Sequence, residues 1–192
     1  MDSTVSVEAA ASSYGTPAQV SIAVAADDKA AIGSVAVYLD GKPAGEAELT
    51  LGSAAYTLPA TLSVGTHKVT AEYLGNSTTN PSEKSTTVSI SKATTVATLK
   101  LSKTKATTRS SVKATVSVKV PGTTVVATGK VQFIVKGKVV KTVTLTTARK
   151  GKITATLPKF KKAGSYTVTA KFVGTSSLVS DKSSAAKIRV TK

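Results

Sequence analysis

A lone histidine, His67, is the one residue in this 192-residue chain that invites proton-transfer or metal chemistry, because an imidazole changes charge near neutral pH and ligates metals. The acids that could hold Ca²⁺ are the Asp27-Asp28 pair and Asp40, but Ca²⁺ wants several oxygen ligands at once and no ligand-loop spacing surrounds them. The pair reads as a solvated loop. There is no cysteine, and Met1 is the only methionine, which excludes disulfide, thiol and soft-metal chemistry. No phosphate loop, nucleophile elbow, metal-protease helix or paired-carboxylate arrangement occurs. The expectation is a protein that is not an enzyme, with no cofactor and no metal.

Charge is the larger signal. Residues 1–92 hold five Lys against nine Asp and Glu, a net −4, whereas residues 93–192 hold eighteen Lys and three Arg against Asp181 alone, a net +20. The candidate polyanion-binding residues are Lys113, Lys119, Lys130, Lys159, Lys161, Lys162, Lys171, Lys187 and Arg189, and loops add Lys103, Lys105, Arg109, Arg149 and Lys150. With cations spaced near a Debye length of about 8 Å, the field around this half is strong and diffuse. Its partner would be a cell-wall polymer such as teichoic acid, an acidic polysaccharide, DNA held without sequence preference, or an acidic protein. Specific base reading is disfavoured, since Lys outnumbers Arg and the alternation turns Phe133, Tyr166 and Phe172 inward, leaving only Phe160 free to be exposed. Equally open is a solubilising role, in which lysines guard strand edges. The opposed charges of the halves predict head-to-tail self-association at low salt.

The elements that would position these residues come from a repeat. Gly65 to Gly75 (GTHKVTAEYLG) returns as Gly164 to Gly174 (GSYTVTAKFVG). A period of two puts His67, Val69, Ala71 and Tyr73 on one face, and Tyr166, Val168, Ala170 and Phe172 in the second copy, as half-buried strands require. Val5 and Val7 match Leu99 and Leu101; Val20, Ile22 and Val24 match Ala114, Val116 and Val118; Val35 to Gly41 match Val131 to Gly137; Val88 and Ile90 match Ile188 and Val190. Asp40-Gly41 between alternating runs is a strong hairpin signal, and Lys136-Gly137 a weaker one. Pro59 and Pro158 end strands.

Two domains, 1–92 and 93–192, follow. Each is an antiparallel β-sandwich of about seven strands, with enough apolar residues for its own core, since burying one Val, Leu or Ile contributes about 1.5–3 kcal/mol. The join at Ser91 to Thr98 lacks glycine and proline, which predicts a semi-rigid end-to-end pair. No apolar run is long enough for a membrane span. The chain begins at the first strand pattern without a signal segment, which is expected of a trimmed fragment of a larger secreted protein.

The motifs Gly33 to Gly41, Thr57-Leu58-Pro59 and Leu62 to Asn76, with their second-half matches at Gly129 to Gly137 and Gly164 to Gly174, resemble the bacterial Ig-like repeats of secreted and surface proteins, especially of actinobacteria. The resemblance implies an all-β fold of two tandem Ig-like sandwiches and a spacer or adhesion role at the cell surface, without catalytic residues. It also implies that His67 and Tyr166 occupy the corner position whose polar tip bonds back to the chain. Modules of this kind sometimes carry a Lys-to-Asn isopeptide bond; the second half has no Asn, and Asn76 and Asn80 fit loop roles. An alternative takes Met1 as the natural start of a signal-less virion decoration or appendage subunit.

Overall fold

A computed structural model describes residues 1–27 and 29–192; Asp28, half of the acidic pair considered above, lies outside the described residues. The chain divides into two compact units, Met1–Ser91 and Lys92–Lys192. In the first, the strands are β1 (Ser3–Ala9), β2 (Ser12–Ser13), β3 (Gln19–Ala26), β4 (Lys29–Ala30), β5 (Ser34–Leu39), β6 (Lys42–Glu48), β7 (Ser53–Thr57), β8 (Gly65–Tyr73) and β9 (Ser82–Ser91). In the second they are β10 (Val96–Leu101), β11 (Lys105–Thr107), β12 (Lys113–Lys119), β13 (Gly129–Val135), β14 (Lys138–Leu145), β15 (Lys152–Thr156), β16 (Gly164–Phe172), β17 (Asp181–Lys182) and β18 (Ala186–Thr191). Among the described residues no helix is long and apolar enough to cross a membrane.

Each unit is a sandwich of two sheets. The first packs β1, β3, β4 and β7 against a sheet ordered β2-β9-β8-β5-β6; the second packs β10-β12-β15 against β11-β18-β16-β13-β14, with β17 beside β16. Alternation sets which side chains meet in the middle. Val20, Val35, Val69, Ala71, Tyr73 and Val88 are fully enclosed in the first unit, and Val116, Val131, Phe133, Val168, Ala170 and Phe172 in the second. Asp40 and Gly41 (φ 51° and 77°) and Lys136 and Gly137 (φ 47° and 79°) form the two-residue turns joining β5 to β6 and β13 to β14. Positive φ at both central positions matches the twist of the flanking strands.

The structure departs from the sequence reading in three respects. Seven main strands per unit are joined by very short ones, and β2 pairs parallel with β9, as β11 does with β18, so the sandwiches are not purely antiparallel. The chain crosses from one sheet to the other after β1 and again after β10, and two or three residues are too few for an alternation signal. Phe160 is buried, packed on Tyr166 with ring centroids 4.6 Å apart, because an apolar ring in the β15–β16 loop gains more by covering the sandwich end than by facing water. The strand continuous as β9 in the first unit is broken at Ser183 in the second, where Ser183 donates its N–H to the Ala170 carbonyl and accepts the Ala170 N–H at its hydroxyl.

Candidate anion-binding surface

Strand alternation places the basic residues. In β16, Val168, Ala170 and Phe172 face the core, which turns Lys171 outward; in β18, Ile188 and Val190 face in, which turns Lys187 and Arg189 outward. Lys130 of β13 lies in the same sheet, also exposed. Register then brings Lys171 directly opposite Lys182 of β17, a residue absent from the sequence-based candidates. Like charges facing each other across a ladder are destabilising unless something offsets them.

Among the described residues no salt bridge does so. The second unit's one acid, Asp181, accepts the Ala97 N–H at 2.7 Å, and among the described residues the only ion pair is His67–Asp40 in the other unit. The remaining candidates do not join this face. Lys113 and Lys119 lie on β12, exposed on the outside of the opposite sheet, and Lys159, Lys161 and Lys162 occupy the loop between β15 and β16. The basic residues therefore surround the second unit rather than forming one patch.

The equivalent face of the first unit carries the opposite sign. Glu72 of β8 stands where Lys171 does, and its register partner is Glu83 of β9 where the second unit has Lys182. Lys182 was hidden because cross-strand opposition depends on register, which composition does not show.

His67 is structural. Its Nε2 donates to the Ser63 carbonyl at 2.8 Å, four residues back, and its Nδ1 donates to Asp40 Oδ2 at 2.7 Å. Nε2 also lies 3.2 Å from the Ser63 hydroxyl, and the Asp40 hydrogen bond first, then the Ser63 carbonyl, holds the ring's pKa above the ordinary 6.5. Asp40 is held below its ordinary 3.8, chiefly by His67 and then by the Lys68 N–H, which donates to its Oδ1 at 2.9 Å. In the second unit the Tyr166 hydroxyl donates to the Lys162 carbonyl at 2.8 Å, the same four-residue reach, while Lys136 Nζ sits 4.3 Å from the Tyr166 ring centre. That distance is a cation–π contact.

Asn76 and Asn80 have loop roles. Asn76 Oδ1 accepts the Thr78 and Thr79 N–H groups, its Nδ2 donates to the Tyr73 hydroxyl, and Asn80 Nδ2 donates to Asp2 Oδ1. Among the described residues no group of three His, Cys, Asp or Glu side chains is placed to hold a metal ion.

Solved structures similar to this chain include bacterial adhesins and glycoside hydrolases. Invasin, described as a bacterial integrin-binding protein, aligns over 98% of this chain and 39% of its own, at 20% identity and a TM-score of 0.63. The Yersinia pseudotuberculosis adhesin InvE aligns over 97% and 58%, at 18% identity and a TM-score of 0.45. The chain thus spans less than two thirds of either, and the likeness to invasin establishes the fold alone. No curated protein sequence matches. The model of the bacterial Ig-like domain, group 3, matches twice, at residues 5–91 and 99–191, so that each sandwich is one copy and the chain belongs to the bacterial Ig-like domain family.

Proposed function

We propose that this chain is a non-enzymatic spacer and adhesion pair from a bacterial surface or secreted protein, whose second unit holds an anionic polymer or surface by electrostatics. The observation that carries the reading is the cation excess of residues 93–192, eighteen Lys and three Arg against Asp181 alone, which leaves the opposed Lys171 and Lys182 without a salt-bridge partner among the described residues. An anion lying over the face turns that repulsion into attraction for both lysines. The family membership and the adhesin-like fold support an extracellular setting, where cell-wall polymers and acidic polysaccharides supply such anions.

The attachment is of low specificity, since compact ammonium groups on flexible stems act as point charges rather than as geometric readers. Titration of the full chain with teichoic acid, a sulfated polysaccharide and duplex DNA across a salt series tests this. The expected result is log affinity falling linearly with log salt, with protection from hydrogen exchange confined to residues 92–192. Absence of binding at low salt, or a salt-independent affinity, would remove the adhesive role and leave a passive spacer.

A further inference from the structure

Beside the parallel pairing of β11 and β18 lies a cleft of about 470 Å³ lined by Lys103, Lys105, Thr107, Ser110, Arg189 and Thr191. Lys105 and Arg189 are register partners on these neighbouring strands, and both side chains are exposed on the same side, since the residues that follow them, Ala106 and Val190, are buried. Neighbouring strands lie about 4.8 Å apart, so the two cationic side chains start side by side. No carboxylate pairs with either of them among the described residues.

The first unit has a depression in the same place, of about 720 Å³, lined among others by Ala11, Ser13, Thr16, Ser89 and Ser91. Residue by residue the hydroxyls are kept: Ser13 becomes Thr107, Thr16 becomes Ser110 and Ser91 becomes Thr191. The cations are new, with Ala11 replaced by Lys105 and Ser89 by Arg189. The cavity is thus a property of the fold, arising where the chain crosses between sheets, and its charge is a property of the second unit alone.

We propose that this cleft is a phosphodiester subsite that takes one phosphate and its polyol flank from an anionic chain. The inference rests on the polyanion reading above and narrows it to one place and one ligand chemistry. The guanidinium of Arg189 presents a planar fork that matches the two free oxygens of a phosphodiester, whereas Lys103 and Lys105 supply point charges to the same group. A volume of about 470 Å³ admits more than a bare phosphate, and the Thr191 hydroxyl, which donates to the Ala106 carbonyl at 3.5 Å, can accept from a flanking alcohol. Thr107 and Ser110 serve the loop instead: Ser110 Oγ accepts the Thr107 N–H at 3.1 Å and lies 3.0 Å from Thr107 Oγ1. No aromatic ring lines the cleft, so a nucleobase finds no stacking platform, and a polyol phosphate is favoured over single-stranded nucleic acid.

The test titrates the full chain with poly(glycerol phosphate), polyglutamate and single-stranded DNA by calorimetry at several salt concentrations. Arg189→Gln is compared with Arg149→Gln, which removes the same charge from the 3₁₀ turn Thr147–Arg149, outside the cleft. Arg189→Gln is expected to weaken poly(glycerol phosphate) binding at least tenfold and to lower the salt slope by about one, with Arg149→Gln weakening it less than threefold. Lys105→Gln should follow Arg189→Gln, and adding Ala11→Lys with Ser89→Arg should create a second, weaker site. Equal weakening by Arg189→Gln and Arg149→Gln would overturn the subsite while leaving the diffuse field intact. DNA or polyglutamate bound as tightly as poly(glycerol phosphate), with the same dependence on Arg189, would overturn the polyol phosphate assignment, and absence of binding by the parent chain would overturn both readings.

Discussion

The two units solve the same local problems with opposite chemistry. At the corner and the hairpin turn, the first unit pairs the imidazole of His67 with the carboxylate of Asp40; the second pairs the ring of Tyr166 with the ammonium of Lys136. At the end of the central strand, the first unit has Tyr73, whose hydroxyl donates to the Ile32 carbonyl at 2.8 Å and accepts from Asn76. The second has Phe172, without a hydroxyl, and Thr175 in place of Asn76. On the outer face Glu72 and Glu83 are replaced by Lys171 and Lys182. Partners change together, so the fold demands that each contact be satisfied rather than that it be made by a particular residue type. Surface charge is then free to be set by function.

The strongest way to break this equivalence is at the buried aromatics. Phe172→Ala and Tyr73→Ala should each cost about 3–5 kcal/mol, whereas Tyr73→Phe, which copies the second unit, should cost only about 1 kcal/mol. Denaturant unfolding resolved by hydrogen exchange in each unit measures this. A Tyr73→Phe loss as large as the Phe172→Ala loss would mean that the two positions are not equivalent. A smaller effect sharpens the charge comparison: Lys182→Glu should stabilise the second unit by about 0.2–1 kcal/mol by turning a repulsive pair into an attractive one, while weakening polymer binding. Loss of both stability and binding would show that Lys182 serves the fold.

The smallest effect is expected from pH. His67 is held above its ordinary 6.5, so its contribution is complete below that value and fades as pH rises through the raised one. Asp40 is held below 3.8, so its contribution is present above that value and fades as pH falls through the lowered one. The first unit should therefore be most stable between about pH 4 and 6.5, and the second, which has Lys136 and Tyr166 where the first has Asp40 and His67, should lack this window. Melting followed unit by unit from pH 3 to 9 checks this, and a His67→Gln variant should lose the alkaline limb. Parallel drift of both units would sink the assignment.

Much of the fold was legible in the residues. The alternation of Val20, Ile22 and Val24 and the Asp40-Gly41 turn named strands and a hairpin because strand period and positive φ are local properties. What escaped was non-local. The crossing segments β2 and β11 are too short for periodicity, and so the cleft formed beside β11 had no signature beyond lysines in a loop. Phe160 looked free because a loop residue carries no alternation to show which way it turns. His67 was placed correctly at the corner, but its partner Asp40 lies 27 residues away and reads in sequence as a turn former. Lys182 joined the charged face only through register.

The parallel pairing of β2 with β9, and of β11 with β18, bears on how each unit carries a load. Met1 accepts the Asn80 N–H beside the start of β9, whereas Ser91 closes β9 at its far end, where its carbonyl takes the Tyr14 N–H. Chain entry and exit thus sit at opposite ends of a ten-residue strand, and tension between them runs along the strands. The bonds joining β2 to β9 are then strained together in shear rather than opened one by one, and survival under pull is set by the rate of that rupture. A module pulled from its two ends is in that regime.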